Sequence, residues 1–209
     1  MACIRNERIV FAGLDYYLEP GGALILAGAN GSGKSSLLRL MAGLGRPAAG
    51  RILWNGRPVG DDPEGFAASC QYLGHRDAVK PALTVGENLA FHASLRRRAG
   101  RAAIGDALDR MGLLSLADMP ARMLSAGQTR RLAFARILAT PATLWLLDEP
   151  TVALDPPSVS AVMDAIARHR SDGGMIVAST NVPLAIAPAD TLDVSGFAGT
   201  GTTLWGDAA

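Results

Sequence analysis

Three short apolar runs divide the chain, and each has the length of a strand and not of a helix. They are residues 23–27 (ALILA), 144–147 (LWLL) and 175–178 (MIVA). Because apolar and polar positions do not alternate within them, these runs are typical of parallel strands that are covered on both faces. Helical patterns lie between the runs. The chain is therefore predicted to be an α/β domain around a largely parallel sheet.

Helical spacing is clearest directly after the first run and again in the middle of the chain. Residues 36–44 carry an apolar stripe that is closed by Gly43, Gly45 and Pro47, which predicts a helix. From residue 84 to about residue 121, apolar side chains recur at helical spacing around an arginine-rich interruption at residues 96–101. That interruption could be a docking surface or a solvated loop between two helices.

Turn signals predict one hairpin but do not predict the secondary structure of the last part of the chain. Residues 51–59 (RILWNGRPV) place the dipeptide Asn55-Gly56 between two extended arms. After Pro188 the chain is rich in glycine, threonine and alanine. The pattern there does not decide whether a strand is added to the sheet.

Composition limits the classes of protein to which the chain can belong. Its 209 residues are 49% hydrophobic, enough for one sizeable core. The net charge is +1, so no overall field favours nucleic acid or an anionic membrane as a partner. The cysteines, Cys3 and Cys70, are too few for a disulfide framework, which favours a reducing compartment. The first residues do not match the pattern of a secretory signal, and the sequence has no run of the about 20 apolar residues of a spanning helix, so membrane association is expected only through a partner.

The segment between the first apolar run and its helix matches a phosphate-binding loop in full. It reads Gly28-x-x-x-x-Gly33-Lys34-Ser35 and lies after a predicted strand and before a predicted helix. Backbone N–H groups of such a loop bind phosphate oxygens, its lysine reaches the β- and γ-phosphates, and its serine hydroxyl is a ligand of Mg²⁺. Lys80 is the only other lysine in the chain, so composition does not explain a lysine here. The alternative is a structural glycine turn. The residues expected to bind the phosphates of a nucleotide are Gly28, Ala29, Asn30, Gly31, Ser32, Gly33, Lys34, Ser35 and Ser36.

A pair of acidic residues follows the second apolar run. In enzymes with a phosphate-binding loop, an aspartate at the end of such a strand lies beside the metal, which assigns Asp148 together with Ser35 to Mg²⁺. Glu149, one residue on, is placed to polarise a water in line with the γ-phosphate. The alternative reading of the pair is a helix cap or a solvated turn.

The sequence LSAGQ at residues 124–128 indicates a protein family. Followed by TRRLAFARILA, it resembles the signature of the ATP-binding-cassette (ABC) ATPases, whose usual form is LSGGQ. The phosphate-binding loop, the signature, LLDEP and TVALD follow one another in the order typical of these cassettes. The resemblance covers essentially the whole chain. It implies a P-loop NTPase with a RecA-like core, a small antiparallel β part and a helical subdomain at about residues 76–123, all within a single domain over residues 1–209.

The resemblance also implies a site that is shared between two copies of the chain. In this family two cassettes face each other, and ATP is clamped between the phosphate-binding loop of one and the signature of the other. Asp155 matches the aspartate of the family's D-loop, which crosses that interface. Taken alone, LSAGQ could be an ordinary N-cap at Ser125. The signature residues expected to contact the nucleotide of the second copy are Ser125, Ala126, Gly127 and Gln128.

Two positions depart from the usual cassette pattern. His75 stands where most cassettes have the Q-loop glutamine, and its imidazole can hydrogen-bond a water or a phosphate oxygen, although a surface histidine without a role is an alternative. Asn181 stands where cassettes have the switch histidine. Its amide can donate a hydrogen bond but cannot share a proton with Glu149, so slower hydrolysis is predicted. His75, Glu149 and Asn181 are therefore the candidate catalytic residues.

Within the cassettes, several stretches resemble the CcmA family, the ATPase subunit of a cytochrome c biogenesis export complex. Among them are YLGHRDAVKPALTVGENLAF and LSAGQTRRLAFAR. This resemblance implies ATP and Mg²⁺ as cofactors, a CcmB-type membrane subunit and other cytochrome c maturation proteins as partners, and a peripheral position at the cytoplasmic face of the bacterial inner membrane. It implies heme export or release of a heme-loaded chaperone.

Three other functions are alternatives to this one. One is a dimerisation switch that hydrolyses little ATP, and another is the ATPase subunit of a different ABC exporter. The third is a cassette that acts on nucleic acid. It is disfavoured because such proteins join two cassettes or insert long coiled coils, and this chain has neither feature. It also lacks the excess of basic residues that binding to nucleic acid favours.

Overall fold

A computed structural model of the chain describes residues 1–96 and 100–199, with the backbone alone at residue 101. Residues 97–99 of the arginine-rich run predicted at 96–101 lie outside the described residues. The strands within them are β1 (Cys3–Arg5), β2 (Arg8–Phe11), β3 (Ala23–Ala27), β4 (Leu53–Trp54), β5 (Arg57–Pro58), β6 (Cys70–Leu73), β7 (Leu144–Asp148), β8 (Met175–Ser179) and β9 (Asp190–Asp193). The α-helices are α1 (Lys34–Met41), α2 (Pro63–Ser69), α3 (Val85–Arg96), α4 (Arg101–Arg110), α5 (Ala126–Ala139) and α6 (Pro156–Ser171). Single 3₁₀ turns lie at Leu114–Leu116, Ala121–Met123 and Val194–Phe197.

A five-stranded parallel sheet in the order β6-β7-β8-β3-β9 forms the centre of the fold. The three predicted buried runs are β3, β7 and β8, its central strands, so the α/β prediction is confirmed. All five residues of β7 and all five of β8 are buried. Burial on both faces explains why these strands lack a polar alternation.

Alternate residues of the strands pack into two separate layers of the core. Leu144 and Leu146 of β7 belong to a cluster with α1 and the amino-terminal strands. Trp145 and Leu147 belong to a second cluster on the opposite face, with α3, α4, α5 and α6. The sheet is therefore enclosed by two layers of apolar side chains, as expected for a doubly wound domain.

Two small antiparallel hairpins lie outside the main sheet. β1 pairs with β2, and β4 pairs with β5. The turn of the second hairpin has Asn55 at φ 50 and Gly56 at φ 76, the left-handed conformations that a two-residue turn of this kind requires. The hairpin predicted at residues 51–59 is therefore confirmed.

Other elements differ from the sequence-based expectations. The first helix runs over Lys34–Met41 and not over residues 36–44: it begins directly after Gly33, and it ends before Gly43, which has φ 71. β6 and β9 were not predicted. The buried polar residue Gln71 interrupts the apolar pattern of β6, and all but one of the residues of β9 are exposed. In the described part of the chain, no helix is both long enough and apolar enough to cross a bilayer.

The contact between α3 and α5 contains a histidine in an unusual environment. His92 on α3 is half-buried, and Arg136 on α5 lies with Nη1 3.0 Å from its Nε2. Burial, together with the cations Arg136, Arg96 and Lys80, lowers the pKa of His92 from 6.5 to about 4. The folded protein therefore keeps this imidazole neutral at pH values where the unfolded chain protonates it.

Replacing His92 by glutamine is expected to reduce the sensitivity of the fold to acid. In the wild type, the unfolded chain binds a proton at His92 between pH 6.5 and about 4 while the folded chain does not, so His92 lowers stability as the pH falls through this window. Glutamine keeps an acceptor for Arg136 but does not titrate. Urea unfolding at several pH values should give a shallower loss of stability for His92→Gln than for the wild type. Equal slopes would contradict the assignment.

Candidate active site

The glycine-rich loop joins the carboxyl end of β3 to the start of α1. β3 ends at Ala27 and α1 begins at Lys34, as the loop motif predicts. The residue before the helix is Gly33, and no side chain caps the first turn. The N–H groups at the start of α1 are thus left to a ligand, and the helix dipole adds positive potential there.

Two glycines of this loop have positive φ values and close neighbours that a side chain would displace. Gly28 has φ 130, and a Cβ there would lie 2.7 Å from Ser195 Oγ. Gly33 has φ 104, and a Cβ there would lie 2.6 Å from Val10 Cγ1 on β2. Ser195 Oγ also accepts a hydrogen bond from the N–H of Ala29 at 3.2 Å. The loop is therefore backed on one side by β2 and on the other by the 3₁₀ turn after β9, a support that the motif alone does not reveal.

Lys34 points back along the loop. Its side chain is buried, and Nζ donates to the carbonyl oxygens of Gly28 at 2.7 Å and Ala29 at 3.1 Å. The ammonium group is the one positive side chain in this glycine loop. Its predicted role, in which it adds a positive charge beside the β- and γ-phosphates, stays a prediction.

Asp148 is the buried acid at the end of β7. Its Oδ1 accepts from Ser35 Oγ at 3.1 Å and from Ser179 Oγ at 2.5 Å. Its Oδ2 is buried and has no hydrogen-bond partner. A buried carboxylate oxygen without a hydrogen-bond donor lowers the stability of the fold unless a cation or another ligand binds it.

Ser179 is a further residue of the site that the sequence patterns did not predict. It is the last residue of β8 and is fully buried, and it pairs in register with Asp148 on the neighbouring parallel strand. The available signal was a polar residue directly after the apolar run MIVA. Since parallel strands end at the same edge of a sheet, that residue was placed to meet the acid that ends β7.

Glu149 has an unusual backbone conformation directly after Asp148. Its φ is 51, in the left-handed region that residues other than glycine seldom adopt. The Nδ2 of Asn181 donates to its Oε1, and His75 Nδ1 lies 3.9 Å from its Oε2. The two residues predicted to replace the usual glutamine and histidine therefore lie on either side of this carboxylate.

The signature sequence begins α5. Ser125 is the N-cap, its Oγ accepts from the N–H of Gln128 at 3.2 Å, and Gln128 Oε1 accepts from the N–H of Ser125 at 2.8 Å. This reciprocal pair is a capping box. The alternative reading of LSAGQ as an ordinary N-cap thus describes its local structure, and a role toward a second copy stays a prediction.

Gly127 of the signature lies so close to a neighbouring turn that a side chain at this position would clash with it. A Cβ on it would lie 2.9 Å from the carbonyl oxygen of Ala153. Ala153 belongs to the exposed turn before α6, in which Asp155 is the N-cap and accepts from the N–H of Ser158 at 3.2 Å. The signature and the predicted D-loop are therefore in contact within one chain.

The structure brings together one group of predicted residues and leaves another group apart from it. Lys34, Ser35, Asp148, Glu149, His75 and Asn181 lie at or next to the carboxyl ends of β3, β6, β7 and β8. Across residues 1–96 and 100–199, no hydrogen bond joins residues 125–128 or Asp155 to the glycine loop. A contribution of residues 125–128 and Asp155 to the nucleotide site of another copy stays a prediction.

Comparison with known proteins identifies the family. A family model described as ABC transporter matches residues 11–152. The chain belongs to the ABC transporter family. As a cassette of this family it is an ABC-type ATPase and binds ATP, in agreement with the site described above.

Curated relatives place this cassette in one group of the family. It is 54% identical to the cytochrome c biogenesis ATP-binding export protein CcmA of Paramagnetospirillum magneticum, over 95% of this chain and 93% of the relative. It is likewise 54% identical to the protein of the same name from Rhodospirillum rubrum, over 95% of this chain and 84% of the relative. The predicted resemblance to the CcmA family is confirmed.

Solved structures confirm the predicted cassette fold. An ABC transporter ATP-binding protein from Pyrococcus furiosus has a TM-score of 0.82 at 25% identity, over 95% of this chain and 96% of that chain. A dimeric ATP-binding cassette in a post-hydrolysis state, bound to ADP and phosphate, has a TM-score of 0.78 at 23% identity, over 87% of this chain and 84% of that chain.

The contact between Gly127 and Ala153 predicts opposite effects for two glycine-to-alanine substitutions. In Gly127→Ala the new methyl group meets a backbone oxygen, so the free energy of unfolding is expected to fall by about 1–3 kcal/mol. Gly105→Ala is the matched control, because Gly105 lies in α4 with no heavy atom within 4 Å of the new Cβ. There the free energy of unfolding should rise by up to about 1 kcal/mol. Urea denaturation of both variants checks the pair, and a rise in both would contradict the described packing.

Proposed function

We propose that this cassette is the ATP-hydrolysing subunit of an ABC export complex that serves cytochrome c biogenesis, of the heme-export or heme-chaperone-release type. The observation that carries the proposal is the meeting of Lys34, Ser35, Asp148 and Glu149 at one edge of the sheet. These are the groups that phosphoryl transfer to water needs. The specific process comes from the relatives, which are cytochrome c biogenesis export proteins over nearly the whole chain.

The residues present fit a magnesium ion. The partnerless Oδ2 of Asp148 and the hydroxyl of Ser35, 3.1 Å from Oδ1, are hard oxygen donors at the end of the glycine loop. Mg²⁺ commonly takes one or two protein oxygens and completes its shell with phosphate oxygens and water. When bound, the ion would neutralise charge that develops on the β- and γ-phosphates. Ser179 holds the Asp148 carboxylate in place through its hydrogen bond to Oδ1.

Hydrolysis in this scheme is general-base-assisted attack of water on the γ-phosphate. The loop amides and Lys34 bind the phosphates, and Glu149 orients the water. The bond from Asn181 fixes one carboxylate oxygen of Glu149, and His75 lies near the other. Both neighbours can take part in hydrogen bonding, but an amide cannot accept and return a proton as an imidazole does.

A second copy of the chain would complete the site. ABC cassettes dimerise. Ser125 and Gly127 at the start of α5 would supply a hydroxyl, N–H groups and the positive end of a helix to the nucleotide of the other copy. Ala126 and Gln128 belong to the same first turn, and Asp155 belongs to the neighbouring turn that we place at the interface.

The helical part of the chain is the proposed link to the membrane. We assign about residues 76–123 to a helical subdomain within a single domain over residues 1–209, with a CcmB-type subunit as its partner at the cytoplasmic face of the inner membrane. Phe91 and Leu95, one turn apart on α3, are 38% and 65% exposed, which suits a surface that a partner covers.

Replacing Glu149 by glutamine tests hydrolysis directly. In the complex assembled with its membrane subunit, ATP turnover is expected to fall by about 10²-fold to 10⁴-fold, the contribution typical of a positioned acid or base. ATP affinity should be retained, because the loop and Lys34 are unchanged. Glu19→Gln, at an exposed glutamate between β2 and β3, is the matched control and should keep wild-type turnover. Equal rates for the wild type and Glu149→Gln would favour the dimerisation switch over an ATPase.

Asn181 is expected to limit the rate. Asn181→His would place an imidazole against Glu149 Oε1, where it can share the proton that the amide cannot. Turnover of the assembled complex should rise, by at least about 10-fold if the imidazole supplies part of the usual acid–base contribution. Steady-state ATPase assays over a range of pH check this. An unchanged rate would show that position 181 does not limit hydrolysis.

A further inference from the structure

One arginine in the core contacts the two segments that carry the catalytic candidates. Arg130 lies on α5 and is only 5% exposed. Its Nη2 donates to the carbonyl oxygen of Asp148 at 2.5 Å and to that of Glu149 at 2.8 Å. Its Nη1 donates to the carbonyl oxygen of Gly74 at 3.0 Å and to Asp77 Oδ1 at 2.6 Å.

These acceptors come from two different loops. Asp148 ends β7 and Glu149 follows it, while Gly74 and Asp77 lie on either side of His75 after β6. A planar guanidinium can serve both loops at once, because its two terminal nitrogens point in fixed and separate directions. An ammonium group has a single nitrogen and cannot reach both.

The third connection is made by the helix itself. Arg130 lies in the second turn of α5, whose N-cap is the signature residue Ser125. The helix that would present the signature to the other copy's nucleotide therefore also binds the catalytic segment of its own copy.

We propose that Arg130 is a positioning residue for ATP hydrolysis, which holds the backbone of Glu149 and the His75 loop in one arrangement and links both to the signature helix. The proposal rests on the proposed function, since it assigns to Glu149 the orientation of water. Arg130 acts through Glu149 and His75 and is not itself assigned a contact with the nucleotide. A change in its geometry should therefore affect the rate of the chemical step more than the affinity for ATP.

A matched control is present on the same helix. Arg136 is 7% exposed, and its Nη1 donates to the carbonyl oxygen of Ala78 at 3.0 Å and lies 3.0 Å from His92 Nε2. It therefore resembles Arg130 in residue type, burial and contact with the loop after β6. In the described part of the chain it makes no hydrogen bond to Asp148 or Glu149.

The test compares Arg130→Lys with Arg136→Lys in the complex assembled with its membrane subunit. For Arg130→Lys, kcat is expected to fall between about 10-fold and about 100-fold, the range that a small misplacement of a catalytic group can cause. Its KM and its affinity for ATP should stay within about twofold of the wild type, the pattern of an interaction needed only in the transition state. Arg136→Lys should keep kcat within about twofold, whatever its loss of thermal stability.

Amide hydrogen exchange gives a second readout. Exchange in residues 74–77 and 148–149 should be faster in Arg130→Lys than in Arg136→Lys. If Arg130→Lys does not fold, Asp77→Asn replaces it: removing the charge of Asp77 leaves the arginine in place but weakens one of its four bonds. Its kcat should fall by a smaller factor with the same unchanged ATP affinity, and an unchanged kcat would overturn the proposal.

The outcomes separate this proposal from the function on which it rests. A wild-type complex whose ATP turnover is absent or insensitive to Glu149→Gln would overturn the proposed function. A wild-type complex that hydrolyses ATP and loses activity in Glu149→Gln, but in which Arg130→Lys and Arg136→Lys behave alike, would overturn the positioning role of Arg130 alone.

Discussion

The parallel direction of the five central strands is the constraint on which the site depends. Because the strands run the same way, their carboxyl ends meet at one edge, and the segments that follow β3, β6, β7 and β8 are brought side by side. Residues that are far apart in the chain, such as Ser35 and Asp148, thereby come within 3.1 Å. The cost of such a sheet is that both faces must be covered, which the two apolar layers provide.

Precision at this edge comes from neighbouring elements and not from the loops themselves. The glycine loop lies between β2 and the 3₁₀ turn that contains Ser195, and both approach it too closely to admit a side chain at Gly28 or Gly33. Asp148 is held by hydroxyl groups from α1 and β8. Rigid supports of this kind reduce the reorganisation needed when a charged substrate binds.

The sequence was informative where a pattern is local. The central strands could be predicted from uninterrupted apolar runs, and the glycine loop from the spacing of a few residues. β6 could not, because buried Gln71 looks polar in the sequence and is satisfied by Thr140, 69 residues away. Arg130 was equally hidden: three of its four acceptors are backbone carbonyls, which any residue type provides, so no residue pattern indicates them. The signature residues could be assigned through family resemblance alone, since their expected ligand belongs to another copy.

The backbone of Glu149 is fully engaged. Its N–H lies 3.1 Å from the carbonyl oxygen and 3.2 Å from the hydroxyl of Ser179, and its carbonyl oxygen accepts from Arg130 and from the N–H of Val152. The φ of this residue is left-handed, and both its N–H and its carbonyl oxygen have protein partners. A solvent molecule or a phosphate can therefore contact Glu149 only through its two carboxylate oxygens. The carboxylate alone thus determines which ligands this residue can bind.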